Sequence, residues 1–113
     1  MNYDKSNIFA RIIRNELASE KIYEDEILLI IKDKFPDKKY KTHLLCLSKQ
    51  EFIDFNDFVK NYDKINEFFQ KIRNILNDIG ITHYQLSTNN GERVGQEIMH
   101  FHLHIKSHDE IKN

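Results

Sequence analysis

Met99-His100-Phe101-His102-Leu103-His104-Ile105 sets three histidines in alternation with apolar residues. Side chains on a strand alternate between its two faces. Read as a strand, the segment puts His100, His102 and His104 on one face and Met99, Phe101, Leu103 and Ile105 on the other. The apolar face can close a core while the imidazole face lines a site. A helix would scatter the three rings around its axis, so the spacing predicts a strand. A single strand histidine is ordinarily a satisfied or solvent-facing residue. An affinity tag is a run of histidines without interleaved Phe, Leu and Ile. Three in register, backed by large apolar side chains, point to chemistry, because unpaired polar groups on a core strand are costly.

Immediately upstream lies Asn89-Asn90-Gly91-Glu92-Arg93-Val94-Gly95, a turn-rich loop holding two of the three glycines. Before it, 81–88 reads as a strand. Ile65, Phe68, Phe69, Ile72, Ile75, Leu76 and Ile79 recur at helical spacing and predict one long helix over 57–78, capped by Gly80. The stripe is read as core. The connection 48–57 is mixed, with a helical turn around Phe52, Ile53 and Phe55.

Further towards the N-terminus, 42–47 is a strand containing His43, and 33–41 a polar loop with the only proline and several lysines. Residues 22–25 and the apolar run in 26–32 predict a hairpin. Ser6 or Asn7 can cap a short helix through Ile8, Phe9, Ile12 and Ile13. Helix, three strands, long helix and two strands imply an α+β domain, an antiparallel sheet with helices on one side.

The 113 residues make one domain, 1–113, without repeats or linkers. A formal net charge of −1 steers the chain to neither nucleic acid nor membrane. The single cysteine, Cys46, lies in an apolar run and reads as core. No apolar run is long enough to cross a bilayer, and the first residues lack the core of a signal peptide. A cytoplasmic protein is the simplest expectation.

A row of imidazoles can bind metal, move protons, or attack phosphorus or carbonyl carbon. Flexible backbone and amide donors at Asn89, Gly91, Gly95 and Gln96 can approach phosphate oxygens, although no Lys-Ser or Lys-Thr follows to make a P-loop. His43 is either a satisfied core histidine or a group that orients a ring of the triad. Asp33, at a strand end, can bind ribose hydroxyls or be merely solvated. His83 and His108 carry no motif and read as surface residues.

The stretch from Gly95 to Ile105 resembles the His-apolar-His-apolar-His motif of the histidine-triad (HIT) nucleotide-binding proteins. Ile8-Phe9-Ala10-Arg11-Ile12-Ile13, Lys21-Ile22-Tyr23-Glu24-Asp25-Glu26, His43-Leu44-Leu45-Cys46-Leu47 and Asn89-Asn90-Gly91 follow the family's order and rough spacing. The similarity covers nearly the whole chain and is closest to the branch that hydrolyses nucleoside phosphoramidates. It implies a five-stranded antiparallel sheet with one long and one short helix, and a homodimer whose sheet is continuous over ten strands.

The resemblance also implies a purine nucleotide (AMP or GMP type) on the triad face and a covalent nucleotidyl-histidine intermediate, with no cofactor and no metal. By position His102 matches the nucleophile, His100 and His104 its partners, and His43 a further histidine of the network. Asn89, Gly95, Gln96 and Glu97 match the phosphate-side loop, and Asp33 the acid that holds the ribose. There are departures. Asn7 and Ala10 stand where some relatives carry a zinc-binding Cys-x-x-Cys. Glu97 stands where many have Ser or Thr. Lys106 stands where a second apolar residue is usual, and the loop from Asp33 to His43 is about two residues longer.

Two other readings remain at this stage. His100, His102 and His43 could ligate zinc in a metal-dependent hydrolase or an all-β barrel oxygenase, though the long helix does not suit a barrel. The fold could also serve a nucleotide-binding or scaffold module with negligible turnover.

Overall fold

The computed structural model describes residues 2–112. Helix α1 (Ile8–Ile13) starts where Asn7 accepts the Ala10 N–H at 2.8 Å. It stops at Asn15, whose φ of 62° is the left-handed conformation that asparagine tolerates. Strands β1 (Lys21–Glu24) and β2 (Leu28–Lys32) form the expected hairpin. Asp25 closes it by accepting the N–H groups of Ile27 and Leu28 at 2.8 and 3.0 Å. With β3 (Thr42–Ser48), β4 (Gln85–Ser87) and β5 (His102–Ser107) they make one sheet, in the order β1-β2-β3-β5-β4. Every neighbouring pair is antiparallel.

The apolar runs of β2 and β3 are buried on both faces. Leu28, Ile30, Leu44 and Cys46 join Leu103 and Ile105 in a core against Phe58, Phe68, Ile72 and Leu76. The alternate residues Leu29, Ile31, Leu45 and Leu47 pack on Phe9 and Ile12 of α1. Helices therefore cover both faces, not one side as the element order suggests. A strand buried on both faces needs a partner layer on each. On the α1 face the β5 positions are His102 and His104, in register with Leu47 and Leu45. That leaves the imidazoles beside the short helix instead of beneath a long one.

The expected long helix is two helices, α2 (Phe55–Asn61) and α3 (Ile65–Asp78). Tyr62 is extended between them, its ring 5.3 Å from that of Phe52 and 5.2 Å from that of Phe58. The periodic stripe begins at Ile65, so it coincides with α3, and the extension of the helix back to 57 is what the extended Tyr62 overturns. Asp54 caps α2 by accepting the Asp57 N–H, and Asp57 accepts the Ile53 N–H in return. Gly80 ends α3 as expected, at φ +85°, with Ile81 N–H bonded back to Leu76 O at 2.8 Å.

Two strands are shorter than their patterns. Of 81–88 only Gln85–Ser87 pairs, because Ile81 is held in the end of α3. The histidine strand begins at His102. Phe101 N–H bonds Phe52 O at 2.7 Å, which turns the backbone away from β3 before His100. No helix among the described residues is long and apolar enough to cross a membrane.

Candidate active site

The three histidines of the alternating stretch do different things. His100 leaves the strand and its ring is wholly buried. Nε2 lies 2.7 Å from Ser48 O, and Nδ1 lies 2.5 Å from the Tyr3 hydroxyl. A carbonyl only accepts, so Nε2 carries the proton and Nδ1 accepts from Tyr3. Burial holds this imidazole at a pKa of about 4, neutral at ordinary pH.

His102 and His104 are half-buried on the open face, ring centroids 5.3 Å apart. His102 Nδ1 sits 2.7 Å from the His100 carbonyl oxygen, so Nδ1 holds the proton and Nε2 a free lone pair. The Phe9 ring stands edge-on to it at 4.7 Å. Burial lowers its pKa below the ordinary imidazole value. The ring is therefore a neutral imidazole with one fixed tautomer, the state in which an Nε2 lone pair can act as a nucleophile.

The proton position of His104 follows from a longer chain. Asp37 N–H donates to His43 Nδ1 at 2.8 Å, which leaves the His43 proton on Nε2. That nitrogen is 3.0 Å from His104 Nδ1 and 3.2 Å from Asp33 Oδ2. His104 Nδ1 accepts, so the His104 proton sits on Nε2. Burial, with His102 and His43 close by, takes the His104 pKa to about 4. One ring of the pair thus presents a lone pair at Nε2 and the other an N–H.

A family model described as "Scavenger mRNA decapping enzyme C-term binding" matches residues 6–112. An uncharacterized HIT-like protein of Rickettsia prowazekii is 44% identical over 107 residues, 91% of this chain and 88% of its own length. The chain belongs to the histidine-triad (HIT) family. Among solved structures, a protein described as HIT-like aligns at 36% identity with a TM-score of 0.79, over 89% of this chain and 97% of its own. A HIT family hydrolase from Clostridium thermocellum aligns at 28% identity with a TM-score of 0.75, over 92% and 91%. The fold is the one HIT hydrolases use.

Of the residues the HIT resemblance singled out, His43, His102, His104 and Asp33 come together, and His100 joins them through its main-chain carbonyl. Asp33 faces His43, and its Oδ1 accepts the Phe35 N–H at 2.9 Å. The phosphate-side loop is organised differently from expectation. Gln96 is buried, its Oε1 accepting the Gly91 N–H and its Nε2 donating to Ile53 O and Ile98 O. The main-chain N–H groups of Gly95 and Gln96 bond Glu92 O and Gly91 O within the loop. Those two positions therefore shape the loop and do not offer donors. The N–H groups of Glu97 and Ile98 have no partner among the described residues. Gly95 has φ +95°, and Asn89 Nδ2 would lie 3.6 Å from a Cβ added there. The side chains of Asn89 and Glu97 are exposed.

Tyr3 and Asp37 belong to the site although no local pattern marks them. The zinc ligands considered from sequence, His43, His100 and His102, do not converge, since His100 is turned to Ser48 and Tyr3. The donors that do converge are Asp33, His43 and His104, within 4.8 Å of one another. Cation capture there would need a lone pair on His43 Nε2. The tautomer carrying it puts Nδ1–H against Asp37 N–H, so this donor set suits a proton chain better than a metal.

Proposed function

We propose that the chain is a purine nucleotide-binding hydrolase. It cleaves nucleoside 5′-phosphoramidates, or related phosphoanhydrides, through a nucleotide held covalently on His102. The observation that carries this reading is the opposed tautomers of His102 and His104, supported by the fold shared with a HIT family hydrolase.

His102 Nε2 attacks the α-phosphorus. A P–N bond to the ring forms as the bond to the leaving amine breaks, and the amine departs with its electron pair and takes a proton from water. His102 keeps Nδ1–H on the His100 carbonyl, which holds the positive charge gained by the ring. His104 Nε2–H and the free N–H groups of Glu97 and Ile98 donate to the phosphoryl oxygens as charge collects on them. The hydroxide left by that proton transfer attacks phosphorus, the electron pair of the P–N bond returns to Nε2, and nucleoside monophosphate leaves carrying the new P–O bond. Asp33 holds the ribose and steadies His43. Asn89, Gly95 and Gln96 set the shape of the phosphate loop.

The test is to incubate metal-stripped protein with adenosine 5′-phosphoramidate and with dinucleoside polyphosphates. AMP release is followed, together with the intact mass after an alkaline quench. AMP release with a transient nucleotidyl adduct is the expected result. Nucleotide binding without AMP release would mean a binding module instead.

A further inference from the structure

The resemblance marked Lys106 as an unusual residue and the loop from Asp33 to His43 as about two residues longer. The structure joins the two. Lys106 pairs in register with His43 across β3 and β5. Its Nζ donates to Asp37 Oδ2 at 3.1 Å and lies 5.9 Å above the Tyr40 ring, which stacks on His108 at 4.8 Å. Asp37 Oδ1 accepts the Lys39 N–H at 3.1 Å. These contacts fasten the loop to the last strand at the residue whose N–H meets His43 Nδ1.

We propose that Lys106 and Asp37 are positioning residues for His43. Their ion pair holds the loop so that Asp37 N–H points at Nδ1, leaving His43 a single proton on Nε2 to share between Asp33 and His104. The inference deepens the hydrolase reading and rests on it for its consequence in turnover, though not for its geometry.

The groups facing His43 explain why a tether is needed. Asp33 and Asp37 approach from the loop, and Lys106 and His104 from β5. A carboxylate 3.2 Å from an imidazole ordinarily favours the imidazolium. An imidazolium here would aim Nδ1–H at the Asp37 N–H, two donors in conflict. The main-chain N–H thus keeps His43 neutral beside Asp33, and it can do so only while the loop stays in place. With the loop released, His43 gains a proton at Nδ1 and pairs with Asp33.

The test separates positioning from simple charge. Long-range proton–nitrogen NMR on His43 reads which ring nitrogens carry protons, without reference to activity. Lys106→Met removes a positive charge and Asp37→Ala a negative one. Through-space charge alone would move His43 protonation in opposite directions in the two variants. Positioning moves both the same way, towards a protonated Nδ1 at neutral pH, and lowers kcat on the phosphoramidate about tenfold with KM little changed. The reversed pair, Lys106→Asp with Asp37→Lys, should restore the wild-type His43 signals, and it carries the test should Asp37→Ala fail to fold. Opposite shifts, or an unprotonated Nδ1 throughout, overturn the proposal. A protonated Nδ1 in both single variants but not in wild type, with no turnover in any of them, would leave the positioning intact and sink the hydrolase reading instead.

Discussion

His102 Nδ1 is held 2.7 Å from the carbonyl oxygen of His100, a main-chain anchor that no side-chain substitution at position 100 removes directly. The lone pair at Nε2 thus depends on His102 itself. His102→Ala is expected to lower turnover by several orders of magnitude while nucleotide still binds, because it deletes the covalent route. His104→Ala should be milder, since it removes one donor among several. Single-turnover kinetics and equilibrium dialysis check both parts, and near wild-type turnover in His102→Ala would rule out the covalent scheme.

The His100 ring makes acid stability measurable. Its folded pKa of about 4 lies below the ordinary value of 6.5, so the unfolded chain binds this proton more tightly. The contribution to stability is complete above pH 6.5 and is lost as pH falls towards 4. Between pH 7 and pH 4.5 the ring alone should cost about 2 to 3 kcal/mol. His100→Gln keeps a donor for Ser48 O and has no proton to gain. Urea unfolding at the two pH values should show a smaller acid loss in His100→Gln, and equal losses would refute the assignment.

Removing metal is expected to leave turnover unchanged. Asp33, His43 and His104 lie close enough for a cation, but His43 Nδ1 already accepts the Asp37 N–H and fixes the Nε2 proton. Dialysis against a strong chelator, followed by the phosphoramidate assay, is the check. Lost activity rescued by zinc would establish the metalloenzyme reading in place of the histidine nucleophile.

Much of this architecture could be read from short-range pattern. The apolar runs in 26–32 and 42–47 are strands, and the Asn7 cap and the Gly80 stop lie where residue chemistry puts them. What escaped depends on contacts distant in sequence. Tyr3 reaches His100 across 97 residues, and nothing near Tyr3 marks it. Asp37 acts through its main-chain N–H, which every residue but proline has. The break at Tyr62 precedes the first stripe residue, Ile65, and Tyr62 packs on Phe52 and Phe58, contacts that the stripe does not represent. A signal was available for α2, because Asp54 and Asp57 are spaced as a capping pair. The second covering layer was also foreseeable, since unbroken apolar strands bury both faces.

The last expectation concerns assembly. The resemblance implies a homodimer, and the apolar stripe of α3 does not supply its interface, because Phe68 and Ile72 are consumed by the chain's own core. The sheet edges carry it instead. The β1 edge bears Lys21 and Glu24, tied to each other and to Lys49, charges that discourage strand addition. The β4 edge pairs only with β5, and Gln85, Leu86 and Ser87 are exposed beside the half-exposed ring of Tyr84. Two β4 edges meeting about a two-fold axis would satisfy their outward backbone groups and bury both copies of Leu86. Sedimentation equilibrium should then report twice the chain mass of 13.6 kDa at micromolar concentration. Leu86→Glu should shift the species towards monomer without loss of fold, since Leu86 is 38% exposed in one chain and lies outside the buried core. A wild-type protein of 13.6 kDa across the whole concentration range would reject the dimer.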